Sequence, residues 1–202
     1  MKKIILLTAA VLFVCNNIKA DDGFAKSVII GFGPVGYHHV NITHSDDKFK
    51  YDYKSYWSAN FGYEKQFGGT TVLTQLFYSQ GKFDKYVLKG TTDYFDPTQK
   101  DDVFSAGLTI LAGTTINKYS RLQFPIYIGP GVEYMKGGPF HNIVGHLAVQ
   151  VRMKFYFTDN IGFYIGGSGR VGYGYKGGSK EKDRYSIVPI TAYADAGLVF
   201  SF

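Results

Sequence analysis

Disulfides cannot hold this protein together. Its one cysteine, Cys15, falls in an N-terminal segment made of Lys2 and Lys3, an apolar run from Ile4 to Val14, and Ala20 before Asp21 and Asp22. That order of charge, short apolar stretch and small residue reads as a secretory signal peptide. Cleavage after Ala20 divides the chain into a signal peptide, 1–20, and a mature domain, 21–202. Val14 stands where a lipoprotein signal has a small residue, which argues against lipid attachment at Cys15. Long apolar runs are lacking too: Ile4 to Val14 is shorter than the about 20 residues a spanning helix needs, and no later segment approaches it. A helical membrane anchor in the mature chain is therefore excluded. Strong charge is also missing, since the formal +6 loses Lys2, Lys3 and Lys19 with the signal and leaves 19 basic against 16 acidic residues, or +3. Nothing in that balance calls for nucleic acid.

What the chain has in excess is glycine, with 25 residues, and aromatics, with 17 tyrosines and 17 phenylalanines. These residues are laid out with period two. From the C-terminus, Phe202, Phe200, Leu198, Ala196, Ala194, Ala192 and Ile190 fall on one parity, while Ser201, Gly197, Asp195, Tyr193 and Thr191 fall on the other. Such alternation is a strand with one apolar face. The same pattern recurs upstream, most clearly where Leu147, Val149, Val151, Met153, Phe155 and Phe157 oppose His146, Ala148, Gln150, Arg152, Lys154 and Tyr156. It returns at Tyr53–Phe67, Thr71–Phe83, Phe104–Gly113, Arg121–Tyr134 and Ile161–Tyr175.

Ser27 to Asn41 completes a set of eight, with Ile29, Gly31 and Gly33 expected inside until Pro34 interrupts. Pro125 and Pro130 demand bulges or unpaired positions in the fifth strand.

The connections alternate in length. Tight turns are expected at Gly68–Thr70, Asn117–Lys118 and Thr158–Asn160. Longer loops are expected at His44–Asp52, Asp84–Asp102, Lys136–Ile143 and Lys176–Tyr185. Eight alternating segments with short turns on one rim and longer loops on the other predict an all-β fold, an eight-stranded antiparallel transmembrane β-barrel in an up-and-down meander. A soluble lipocalin also has eight strands but turns its apolar faces inward around a ligand. Here the polar parity is too rich in glycine for an ordinary wet exterior.

With its signal peptide, this loop asymmetry and a final strand ending in Phe200, Ser201 and Phe202, the chain resembles the OmpA/OmpX-type outer-membrane β-barrel family in its barrel-only form. The resemblance covers the mature chain and rests on pattern. It implies a Gram-negative outer-membrane location, and insertion by the outer-membrane assembly machinery with Phe202 and Phe200 as the recognition signal. The surroundings are then outer-membrane lipid and lipopolysaccharide. Some barrels of this size modify lipid A with rim or lipid-facing His and Ser residues.

An eight-stranded barrel is only wide enough for side chains to fill it. The inward parity carries Lys54, Arg121, Arg152, Lys154 and Arg170 against Glu64, Glu133 and Asp195. Charges in so dry an enclosure must pair, and counting from the periplasmic rim makes Asp195 with Arg170 the expected pair, with Glu64, Arg121 and Lys154 lying low. The five histidines form no compact set: His38 and His39 must face opposite ways, while His44, His141 and His146 are expected near the extracellular rim. No cofactor or metal is called for. Contacts with an extracellular ligand or host surface would fall on Tyr86, Tyr94, Phe95 and Pro97, or on Lys176, Lys180, Lys182 and Arg184. The expected role is a monomeric, non-catalytic barrel, structural or surface-interacting. A narrow porin-like ion path and a lipid A-modifying enzyme are the alternatives.

Overall fold

The computed structural model describes residues 26–44, 47–88, 94–95, 102–118, 120–137, 140–176 and 185–202. Side-chain placement is described for these apart from 34–35, 42, 44, 47–56, 83–88, 94–95, 140 and 185. The signal segment, Lys180 and Arg184 lie outside the described residues, as do Pro97 and Lys182.

Nine strands follow one another: β1 (Lys26–His44), β2 (Asp47–Phe67), β3 (Thr70–Leu88), the two-residue β4 (Tyr94–Phe95), β5 (Asp102–Ile116), β6 (Leu122–Gly137), β7 (Phe140–Tyr156), β8 (Ile161–Lys176) and β9 (Tyr185–Ser201). All but β4 form a closed antiparallel ring, each strand beside its neighbour in sequence and β9 returning to β1. This is the eight-stranded meander. β4 adds only the pairs Tyr86 with Phe95 and Val87 with Tyr94 on the overhang of β3. The seam between first and last strands is bonded to its base, where Phe202 N donates to Lys26 O at 2.9 Å and Lys26 N to Phe202 O at 3.3 Å.

Alternation assigns the faces. Ile30, Phe32, Ile128, Leu147, Val149, Val151, Val171 and Leu198 are exposed on the outside, while Ile29, Leu73, Leu111, Val199, Tyr127 and Tyr164 are buried within. Leu73 and Phe77, whose apolar character blurs the pattern of β3, prove to be interior residues. Pro34 sits where β1 slips by one residue against β9, between Phe32 and Val35. The prolines of β6 leave unpaired positions and no slip: Pro130 stands in a gap of the β5 ladder and Pro125 in a gap of the β7 ladder.

Two of the expected loops are strand. β1 and β2 stay paired as far as His44 with Asp47, and β6 and β7 as far as Gly137 with Phe140. The polar stretches His44–Asp52 and Lys136–Ile143 are therefore hairpin ends, and Asp84–Leu88 likewise continues β3. Charge marks the end of an apolar band, but it does not end a hydrogen-bonded ladder once both faces meet water. Strands of 15 to 21 residues exceed the about 9–11 that cross a bilayer, so the strands overhang such a span at the end away from the short turns.

The overhang changes its facing. On β1 the inward positions are Ile29, Gly31 and Gly33, and beyond the slip they become Gly36, His38 and Val40. On β2 a second slip lies between Ser55 and Trp57. Position 54 therefore pairs with the exposed Tyr37, while position 53 pairs with the fully buried His38. Above the slips, the outward positions are polar on both strands: His39, Asn41 and Thr43 on β1, paired with 52, 50 and 48 on β2. The wall has an apolar outside at membrane level and a polar outside beyond it.

Candidate functional site: the charged interior

The inward face of each strand contributes every second residue, and neighbours set which of these meet across the bore. Lowest is a triad from three strands. Lys154 Nζ on β7 lies 2.6 and 2.7 Å from the two carboxylate oxygens of Glu64 on β2, and the Tyr127 hydroxyl on β6 donates to Glu64 Oε2. All three side chains are essentially inaccessible. In an eight-membered ring β2 and β7 face each other across the full diameter, so this ion pair bars the bore. Ile29, Leu73, Leu111 and Val199 surround it as an apolar collar.

Above the triad, Asp195 Oδ2 accepts hydrogen bonds from the Tyr164 hydroxyl at 2.7 Å and from Asn60 Nδ2 at 2.8 Å. Arg152 Nη2 is 3.8 Å from the same oxygen, and its guanidinium lies 4.5 Å from the Tyr164 ring. Two glycines make this cluster possible. A Cβ on Gly31 would collide with Tyr164 Oη, and one on Gly166 would lie 2.8 Å from Arg152 Cγ and 3.3 Å from Asp195 Oδ1.

The third layer holds Arg170 between rings, its guanidinium carbon 3.6 Å from the Phe77 centroid and 4.6 Å from that of Tyr193. Its Nη1 reaches Glu133 Oε2 at 3.4 Å. His146 stands beside this pair, 4.0 Å from Glu133 Oε1 and 3.2 Å from Thr109 Oγ1. Ser79 links Ser105 and the Tyr193 hydroxyl at 2.9 and 3.0 Å, and Tyr193 faces His38 Nδ1 at 3.4 Å. A cavity of about 20 Å³ separates the second and third layers, lined by Asn60, Gln75, Gln150, Arg170, Tyr193 and Asp195 among others. It has room for about one water molecule. Val40, Val103, Met135, Val144 and Ile187 are buried toward the end away from the short turns.

Six of the eight expected interior charges thus enter the bore, three cations against three anions. Their pairing differs from expectation. Asp195 meets Arg152, and Arg170 meets Glu133, because the ladder sets Asp195 opposite Gly166 and Arg170 opposite Thr191. The glycine lets Arg152 reach over from β7. Arg121 is no interior residue: it is exposed on the turn before β6, where its carbonyl accepts Tyr156 N at 2.8 Å. The side chain of Lys54 lies outside the described residues; its position pairs with the exposed Tyr37, not with an interior residue. His146, expected near the rim, is inside the bore, while His141 is at the outer rim with Nε2 3.1 Å from Lys176 Nζ. A search of the sequence for charged residues alone misses Tyr127, Tyr164 and Tyr193 as members of the network, although their inward parity is visible.

The sequence matches no protein-family profile and no curated protein. Solved structures do match in shape, and they define the class: this is the fold of the small outer-membrane β-barrels, consistent with the OmpA/OmpX type. Among them, the outer membrane protein OprG of Pseudomonas aeruginosa aligns over 92% of this chain and 99% of its own, with TM-score 0.55 and 10% identity. A major outer membrane protein of Thermus thermophilus gives 0.58 and 11% over 90% and 100%. The outer membrane protein AlkL gives 0.52 and 10% over 92% and 95%.

Proposed function

We propose that the protein is a monomeric integral outer-membrane barrel with a structural or surface-interacting role and no catalytic one. It is exported by the segment 1–20, placed by the assembly machinery through Phe200 and Phe202, and meets ligands or host surfaces through its extracellular ends. The observation that carries this reading is the Glu64–Lys154 pair joining opposite walls of the bore. With the bore barred, exchange with the surroundings falls to the outer surface and the overhanging strands. Phe202 supports the assembly role by standing exposed at the end of the closing strand.

His38 and His146 are walled inside the barrel, which leaves His39 and His141, on outward positions, as the described histidines that a lipid A-modifying enzyme would have to use. The contact surface would include Tyr86, Tyr94 and Phe95 on the β3 overhang, and Lys180 and Arg184 beyond β8. The test is a glycan and host-cell binding screen on the folded barrel and on a variant with 89–100 replaced by a short Gly-Ser turn. Binding lost with the connection while the barrel stays folded is the expected result. A barrel that binds nothing, or whose binding survives the replacement, contradicts surface contact there. Unchanged lipid A masses in cells with and without the protein are expected, and a mass shift would move the reading to the enzyme class. A narrow ion path is the second reading, favoured by the polar cavity between the upper charge layers.

A further inference from the structure

Asp195 makes its polar contacts through one oxygen. Oδ2 accepts from Tyr164 and Asn60 and faces Arg152, whereas Oδ1 meets no donor among the described residues, although the side chain is buried. The Gln150 side chain is buried as well, and its Oε1 likewise meets no donor among them. The ladders bring these two oxygens to one place. β8 runs between their strands, with Gly166 opposite Asp195 on β9 and Ser168 opposite Gln150 on β7. Both β8 residues are short, so the two longer side chains share the space over them. That space is the cavity of about 20 Å³ between the second and third charge layers, where Ala148 and Ser58 add two more short walls.

We infer that this cavity is a binding site for a single water molecule, which donates one hydrogen bond to Asp195 Oδ1 and the other to Gln150 Oε1. The Ser168 hydroxyl and the Arg170 guanidinium line the same space and are donors for its lone pairs. The water thereby joins Asp195 of the second layer to Arg170 of the third. The chemistry of the walls selects this ligand. Two acceptor oxygens, one of them a carboxylate's, repel an anion, while Arg170 in the wall and Arg152 beside Asp195 oppose a metal cation. A neutral molecule with two donors satisfies both oxygens, and the volume admits one of water's size. A carboxylate oxygen left dry in a low-dielectric interior is costlier than an immobilised water. The cavity is then a joint between charge layers and no station for an ion.

Hydroxyl-radical footprinting with X-ray pulses tests this on the protein folded in lipid vesicles, because radicals born from a bound water oxidise the side chains beside it. Phe77 and Leu111 are buried and line the cavity, whereas Leu73 and Val199 are buried outside its walls. The expected result is oxidation of Phe77 and Leu111 with Leu73 and Val199 unmodified. After mixing with water labelled in the heavy oxygen isotope, the label should reach Phe77 and Leu111 later than it reaches the exposed Tyr173. Ala148→Leu, which fills the space with carbon, should protect both residues in a barrel that stays heat-modifiable. Phe77 and Leu111 as inert as Leu73 and Val199 in the wild type, which requires no variant to fold, overturns the proposal. So does label arriving at them as fast as at Tyr173, which would make the cavity part of an open water column. Oxidation that persists in the folded Ala148→Leu barrel, or that depends on which salt is present and so gives the space to an ion, overturns it as well.

Discussion

Glu64 shows what a buried charge does in this molecule. It accepts from Lys154 and Tyr127 at once, and the collar of Ile29, Leu73, Leu111 and Val199 keeps water from replacing either partner. Removing one member strands the other, so Glu64→Gln should destabilise the barrel by about 3–5 kcal/mol in urea unfolding from lipid vesicles. Replacing both, as Glu64→Leu with Lys154→Met, should restore most of the loss, and a double variant as weak as the single one would contradict the pairing. Gly31 acts by what it omits. Gly31→Ala drives a methyl into Tyr164 Oη and should cost about 1–3 kcal/mol, part of it recovered by Tyr164→Phe in the same unfolding assay. At this scale the sequence discloses which residues enter the bore but not how they pair. Asp195 and Arg170 stand at similar counted heights, yet the stagger of the ladder and the missing side chain at Gly166 give Asp195 to Arg152.

Among the elements, β1 and β2 show where pattern reading stops. Ile29, Gly31 and Gly33 lie inside as alternation requires, and Pro34 sits at a slip as a proline in a strand should. The slip opposite it on β2 has no such marker. An extra residue near Tyr56 shifts the ladder above it, so that position 54 pairs with the exposed Tyr37. Single cysteines test this, because the sequence has one native cysteine, Cys15, which a Cys15→Ser background removes. Lys54→Cys should react with a membrane-impermeant maleimide on whole cells, and Tyr53→Cys should not; the opposite pattern would restore the unbroken parity. The hairpin ends at 44–52 and 136–143 escape a pattern search for a related reason. Alternation of polar with apolar marks the part of a strand that faces lipid, and a strand wetted on both sides loses that signature while keeping its hydrogen bonds.

For the whole molecule, the layers add up to a barrel whose inside is occupied by its own side chains. An ion entering from the rim of short turns meets Glu64 and Lys154 spanning the diameter, then Asp195 with Arg152, then Glu133 with Arg170, and the cavity between the upper two layers is about 20 Å³. The three layers hold three positive and three negative charges, each facing an opposite one. The proposed surface role accordingly rests on the overhanging strands. The most direct test is conductance of the purified barrel in planar lipid bilayers. A barred bore predicts no resolved current steps from the wild type, and none from Asp195→Asn. Reproducible steps from the wild type that change size or ion preference in Asp195→Asn would contradict it and establish the bore as an ion path.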